Sequence, residues 1–471
     1  MYSRRSYLTA LGTGLAIATA GCSGDGDDNE QQADDDQGIP TPTDDSESGS
    51  SSDVDFGPSS DTESGSPSDT ESGSPSDTES DKTQTAVEDT STSESEGVTE
   101  EVSKLVAPDG EPTDRFGAAV AVQGDTAVVG ASRDDDDGRS EAGTASVYVA
   151  GSDSWTRQAK LTPDDPIEQE FFGAAVAIDG DTVLVGSEGT VADRAYVFER
   201  SEASWTQRET LAPPSETGAA GFGLTVALDG DRALVGAPVS GENSGTVHVF
   251  RRSGGSWGHR ATLAASDGTA GDRFGDAVAL DGDRALVGAW KSETNAGAQA
   301  GSAYIFARTD AGWEQREKLT ASDAGSYDNF GRDVAVDGDR ALVGAPDIGV
   351  YAFQRTEESW TERSKLRADD ADDGDSFGTS VAIGDTRALV GAAKDTDPNG
   401  DRAGSAYVYA LGDSNWSTEG KLVAPDDIAE DDDLFGQAVS LDGSTALVGA
   451  LFDDQSNGDD AGSAYAFTLA E

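Results

Sequence analysis

One cysteine, Cys22, occurs among the 471 residues, so no disulfide can close within the chain. Histidine is nearly as scarce, with His248 and His259 as the whole supply. With so few thiols and imidazoles, nucleophilic catalysis and imidazole acid–base catalysis have almost no carriers. Basic side chains are also few: 32 Lys and Arg stand against 91 Asp and Glu, for a formal net charge of -59. Nucleic acid requires clustered Lys and Arg to release its counterions, and anionic headgroups make the same demand, so charge argues against both partners. The apolar stretch at residues 8–20 is too short to span a bilayer.

The acidity runs through the whole chain. Residues 23–103 hold 25 acidic side chains and one basic one, Lys82; from residue 104 onward 66 acidic residues face 29 basic ones, a net of -37. At about 1 M salt the Debye length falls to roughly 3 Å and most of this self-repulsion is screened, so the composition reads as a salt-adapted surface.

The N-terminal sequence MYSRRSYLTALGTGLAIATAGCSG pairs Arg4 and Arg5 with the short apolar stretch and small residues before Cys22. Residues 1–22 are therefore expected to be a twin-arginine export signal. TAGC resembles a lipobox, in which Cys22 would carry lipid and become the mature N-terminus. Residues 23–103, rich in Asp, Ser, Thr, Glu, Gly and Pro and repeating SDTESGSP, bury too little apolar area to offset ordering entropy. They are expected to be a disordered, self-repelling stalk.

From residue 104 to 471 the chain repeats itself. Phe-Gly pairs begin at Phe116, Phe172, Phe222, Phe274, Phe330, Phe377 and Phe435, a period of roughly fifty residues. Each copy carries four short β-forming runs, such as DAVAL, RALVGA, GSAYIFA and WEQREKL. A DGD turn joins the first two, and Gly282 supplies the positive φ that a tight hairpin needs. Six Trp-bearing outer runs serve seven Phe-Gly units. SKLVAPDG at 103–110 echoes GKLVAPDD at 420–427, so the segment around Lys104 and Leu105 is expected to supply the missing outer strand beside the C-terminal GSAYAFTLAE and close a ring.

The pattern FG, VA, DG, ALVGA, GSAYVF resembles the FG-GAP repeat of the integrin α-chain head, and the acidity fits a haloarchaeal secreted lipoprotein. The resemblance implies an all-β, seven-bladed β-propeller of four-stranded blades and a habit of adhesion or ligand binding, with no fixed activity. It also implies a calcium loop between the first two strands, but the short DGD turn holds too few ligands for one.

Acidic loops fall instead between the second and third strands, at 132–143, 394–404 and 452–462. Asp395, Asp397 and Asn399 have the alternate spacing that opens a calcium loop, making calcium the one cofactor to consider. Asp135, Asp137, Asp401, Asp453, Asp454 and Asp459 are the candidate partner-binding residues. These loops vary in length while the hairpins do not, and variable loops on a rigid scaffold are where recognition resides. No catalytic residue is assigned, because the Asp two places before Phe recurs from copy to copy as a turn former.

The sequence thus predicts an extracellular protein held to the membrane only by lipid, binding an unidentified surface protein or glycan without catalysis. A secreted glycosidase-like enzyme and a purely structural envelope component remain alternatives.

Overall fold

The computed structural model describes residues 98–471, except 153, 190–193, 215–218, 347, 358, 371, 373, 397–399, 401, 413–414, 425–431, 455–457 and 471. Arg4, Arg5, Cys22, Asp397, Asn399 and Asp401 lie outside the described residues.

Seven antiparallel sheets of four strands form the blades of a propeller. Six blades are built from consecutive strands. The seventh takes its outer strand from the start of the described chain: β1 (Thr99–Leu105) pairs with the C-terminal strand Ser463–Leu469, with Leu105 opposite Ala464 and Thr99 opposite Leu469. The ring therefore closes as the repeat offset predicts. The strand begins five residues before the expected boundary at 104, because its opening TEEV is as acidic as the segment before it. Polar composition misleads here, since an outer strand buries only one side.

Inner strands are covered on both faces by neighbouring blades. Ala277–Asp281 and Val334–Asp337 are buried throughout, which explains near-continuous runs of Ala, Val and Leu where a half-buried strand would alternate. Outer strands do alternate, as Gly312–Leu319 shows, with charged residues between half-buried ones.

Each Phe of the Phe-Gly pairs is buried against aromatic residues of its own third strand. Phe172, for example, meets Tyr196 and Phe198 edge-on at centroid distances of 5.4 and 5.9 Å. The following Gly has a different task. Gly173 sits at φ 90°, and its carbonyl lies where a side chain on Gly130 of the preceding blade would have to go. The Gly of each ALVGA-type run meets the Gly of the next Phe-Gly pair in this way around the ring. The repeated phrase is thus a blade-to-blade seam in which two backbones approach more closely than any Cβ allows.

The outer strands of blades one to six share one irregularity, whereas in β1 the shift lies at the start, between Thr99 and Glu101. Their pairing with the third strand slips by one residue midway, a β-bulge, as where Val249 faces Ala261 but Phe250 faces His259.

Candidate functional site: the loop face

Because strand direction alternates within a blade, the loops between second and third strands emerge on the same side as the inter-blade loops. Backbone hydrogen bonds tie the two sets together. The N–H of Phe172 donates to Ala142 O at 2.9 Å, that of Phe330 to Ala300 O at 3.1 Å, and that of Phe435 to Ala403 O at 2.8 Å. Gly-bearing hairpins occupy the opposite face, where Gly282 has φ 57°.

The acidic loop positions differ in what their carboxylates do. Asp395 is buried; Tyr407 Oη donates to its Oδ2 at 2.7 Å and the Lys421 ammonium stands 3.0 Å away. The positive charge beside this carboxylate is therefore a lysine. Asp453 repeats the arrangement with Tyr465 at 2.6 Å and Lys104 at 3.2 Å, and is only 3% exposed. Asp134 does so with Thr144 at 2.6 Å and Lys160 at 3.0 Å. Asp135 and Asp454 close their own loops by accepting the N–H of Glu141 and of Asp460, each at 2.7 Å. Asp137 and Asp459 are exposed to solvent.

The Asp two places before Phe also works locally. Asp114, Asp272, Asp328 and Asp375 each accept a backbone N–H from three residues earlier at 2.6–2.7 Å. Burial pushes the Asp114 carboxyl up to about 7, against the pull of that hydrogen bond from Glu111.

Basic side chains also recur on the loop face. Arg115 and Arg273 precede their Phe-Gly pairs, Arg332 follows one, and Arg133, Lys291 and Lys394 stand second after the Gly-Ala of their blades, or Gly-Ala-equivalent turns. Acidic groups stand among them: Asp276 follows the Phe274-Gly275 pair, Glu188 comes directly after Gly186-Ser187, and Glu141 pairs with Arg133 at 3.3 Å. Burial pushes the Glu188 carboxyl up, while Arg115, Arg133 and Arg273 pull it back. Burial lowers Lys291, with Arg273 and Arg332 adding like-charge repulsion.

Aromatic rings hold these cations in place. Lys291 and Arg332 lie 4.5 and 5.1 Å from the Trp290 ring, Arg115 lies 5.2 Å from Phe452, and Arg133 lies 5.8 Å from Phe171. Asp276 is buried and fully used, receiving Arg273 through a two-pronged pair at 2.7 and 3.1 Å together with the indole N–H of Trp290. Beside these residues a cleft of about 430 Å³ opens between blades three and four, lined by Asn243, Thr269, Asp272, Arg273, Lys291 and Glu293 among others.

Sequence reasoning singled out the acidic side chains of the loop face and passed over its Arg and Lys. The available signal was the recurrence of Arg and Lys beside Phe-Gly and Gly-Ala in an otherwise acidic chain. Their convergence rests on ring closure, which spacing along the chain does not display. Among the described residues no three His, Cys, Asp or Glu side chains group to hold a metal ion.

The FG-GAP repeat family matches the chain seven times, at 99–148, 155–198, 205–250, 257–306, 313–350, 360–409 and 416–467. Each match begins on or beside the outer strand of one blade and ends on the third strand of the next. No curated protein matches. Among solved structures, the computationally designed Ika8 protein is 12% identical over 78% of this chain and 99% of its own, with a TM-score of 0.44.

Proposed function

The chain belongs to the FG-GAP repeat family, and on that premise we propose that it is a non-enzymatic binding protein that grips an acidic partner at the centre of its loop face. The observation that carries this reading is the group Arg115, Arg133, Lys291 and Arg332, braced by Phe452, Phe171 and Trp290, on the loop face of a body that is otherwise strongly acidic; Arg133 is also paired with Glu141. Arg guanidinium groups pair two-pronged with carboxylate or sulfate, and such pairing at contact distance persists when salt has screened long-range attraction.

The place where the chain enters the ring supports a tethered arrangement. Thr99 pairs with Leu469, whose N–H bonds Ser444 O in a hairpin turn, so β1 starts on the hairpin face. In this reading a lipid-bearing Cys22 and an acidic stalk precede β1 in the chain.

The test is retention of the purified chain on immobilised polygalacturonate, with dextran as the neutral control, at several salt concentrations. Retention should fall at least about ten-fold in an Arg115→Glu, Lys291→Glu variant whose melting temperature is unchanged. Equal retention on dextran, or release of reducing sugar from the matrix, would reject binding of this kind.

A further inference from the structure

Of the seven asparagines in the chain, only Asn415 is followed two places on by a hydroxyl residue, in the triplet Asn415-Trp416-Ser417. Asn-X-Ser/Thr with X other than Pro is the acceptor triplet for an N-linked glycan, and a usable copy has to lie on an accessible surface.

This copy sits at the turn between the third and outer strands of blade six. Leu411, the last residue of Ser405–Leu411, faces Trp416, the first of Trp416–Leu422, and the Gly412 N–H donates to Asn415 O at 2.9 Å to close the turn. Side chains alternate along a strand, and here the alternation exposes the acceptor. Trp416 packs against the core between blades five and six, whereas Asn415 and Ser417 on either side of it are both exposed.

The fold does not ask for asparagine at this turn. The corresponding residues of blades one to five, each directly before the outer-strand Trp, are Ser154, Ser204, Ser256, Gly312 and Ser359. Blade one closes with the same bond, from the Gly151 N–H to Ser154 O at 2.8 Å, so a small side chain satisfies the geometry. The carboxamide of Asn415 is thus surplus to the turn.

From this placement we infer that Asn415 is an N-glycosylation site, with an oligosaccharide activated as a lipid phosphate ester as the co-substrate. Asn415 Nδ2 forms a bond to the anomeric carbon, the bond from that carbon to the phosphate oxygen breaks with its electron pair on the phosphate, and the amide gives one proton to solvent. Third-to-outer turns emerge on the hairpin face, so the glycan stands on the outer rim and leaves the loop face uncovered. The inference rests on the export that Arg4 and Arg5 predict and is independent of what the loop face binds.

The test is mass spectrometry of the full-length chain made in its native cells. Trypsin releases residues 403–421, in which Asn415 is the only asparagine. Electron-transfer fragmentation of that peptide should locate a glycan mass on Asn415 in chain recovered outside the cytoplasm, and none in an Arg4→Lys, Arg5→Lys chain retained inside. Asn415→Ser, which restores the residue of blades one, two, three and five, and Ser417→Ala should both lose the mass at unchanged melting temperature, while Ser417→Thr should keep it. A bare Asn415 wherever the chain is found, a glycan on Asn415 that survives Ser417→Ala, or equal modification of the retained chain would overturn the inference.

Discussion

Gly449 of the last blade packs against the carbonyl of Gly117 in the first, so the contact that joins each blade to the next also joins the two ends of the ring. A Cβ on Gly449 would fall inside the radius of the Gly117 carbonyl oxygen, and that oxygen belongs to backbone that cannot swing away. Gly449→Ala should therefore destabilise by about 1–3 kcal/mol through overpacking. Gly124→Ala, in a hairpin with no atom near the added methyl, should show only the strain of its φ of 54°, about 1 kcal/mol. Denaturant titration of the two variants distinguishes them; equal losses would refute the seam.

Asp333 is buried in blade five and accepts the Val381 N–H of blade six at 2.6 Å. Burial pushes its carboxyl up to about 8, against hydrogen bonds from Val381 and Val334. Between pH 4 and 8 the unfolded chain releases this proton while the folded chain keeps it, so the group's contribution to stability falls as pH rises through that window and levels off above it. Asp333→Asn should remove that slope. Stability measured against pH should show the variant gaining on the parent toward pH 8, and parallel curves would refute the assignment.

The Lys421 ammonium lies 3.0 Å from buried Asp395 and 2.7 Å from Asp370. It holds the Asp370 carboxyl below its usual range despite the opposing effect of burial. Lys421→Met leaves the Asp395 charge uncompensated and should cost about 3–5 kcal/mol. The double variant Lys421→Met, Asp395→Asn should recover part of that loss. A double variant less stable than the single one would show that the two do not act as a pair.

Net charge sets the response to salt. With a net of -37 from residue 104 onward, the melting temperature should rise between about 0.01 and 1 M salt as the screening length shrinks from roughly 30 to 3 Å. A flat profile, followed by circular dichroism, would contradict the salt-adapted reading.

Local order was legible because the interactions that set it span few residues. Alternating side chains, the Gly282 turn and the Phe-Gly period identify strands, hairpins and blade number, and the echo of GKLVAPDD in SKLVAPDG identifies ring closure. What tertiary structure decided lies between blades. Arg115, Arg273 and Arg332 are far apart in the chain and share a centre only because the ring turns their Phe-Gly loops toward one axis. Asp395 reads as the opening of a calcium loop, yet its carboxylate faces Lys421 across the sheet. His248 and His259 share a side of their sheet through a one-residue bulge that no periodicity announces. The sequence by itself determined the repeat, its strands and its charge, because these depend on neighbours along the chain. The structure decided which charges meet, because radial closure and a register slip bring side chains together independently of their separation in sequence.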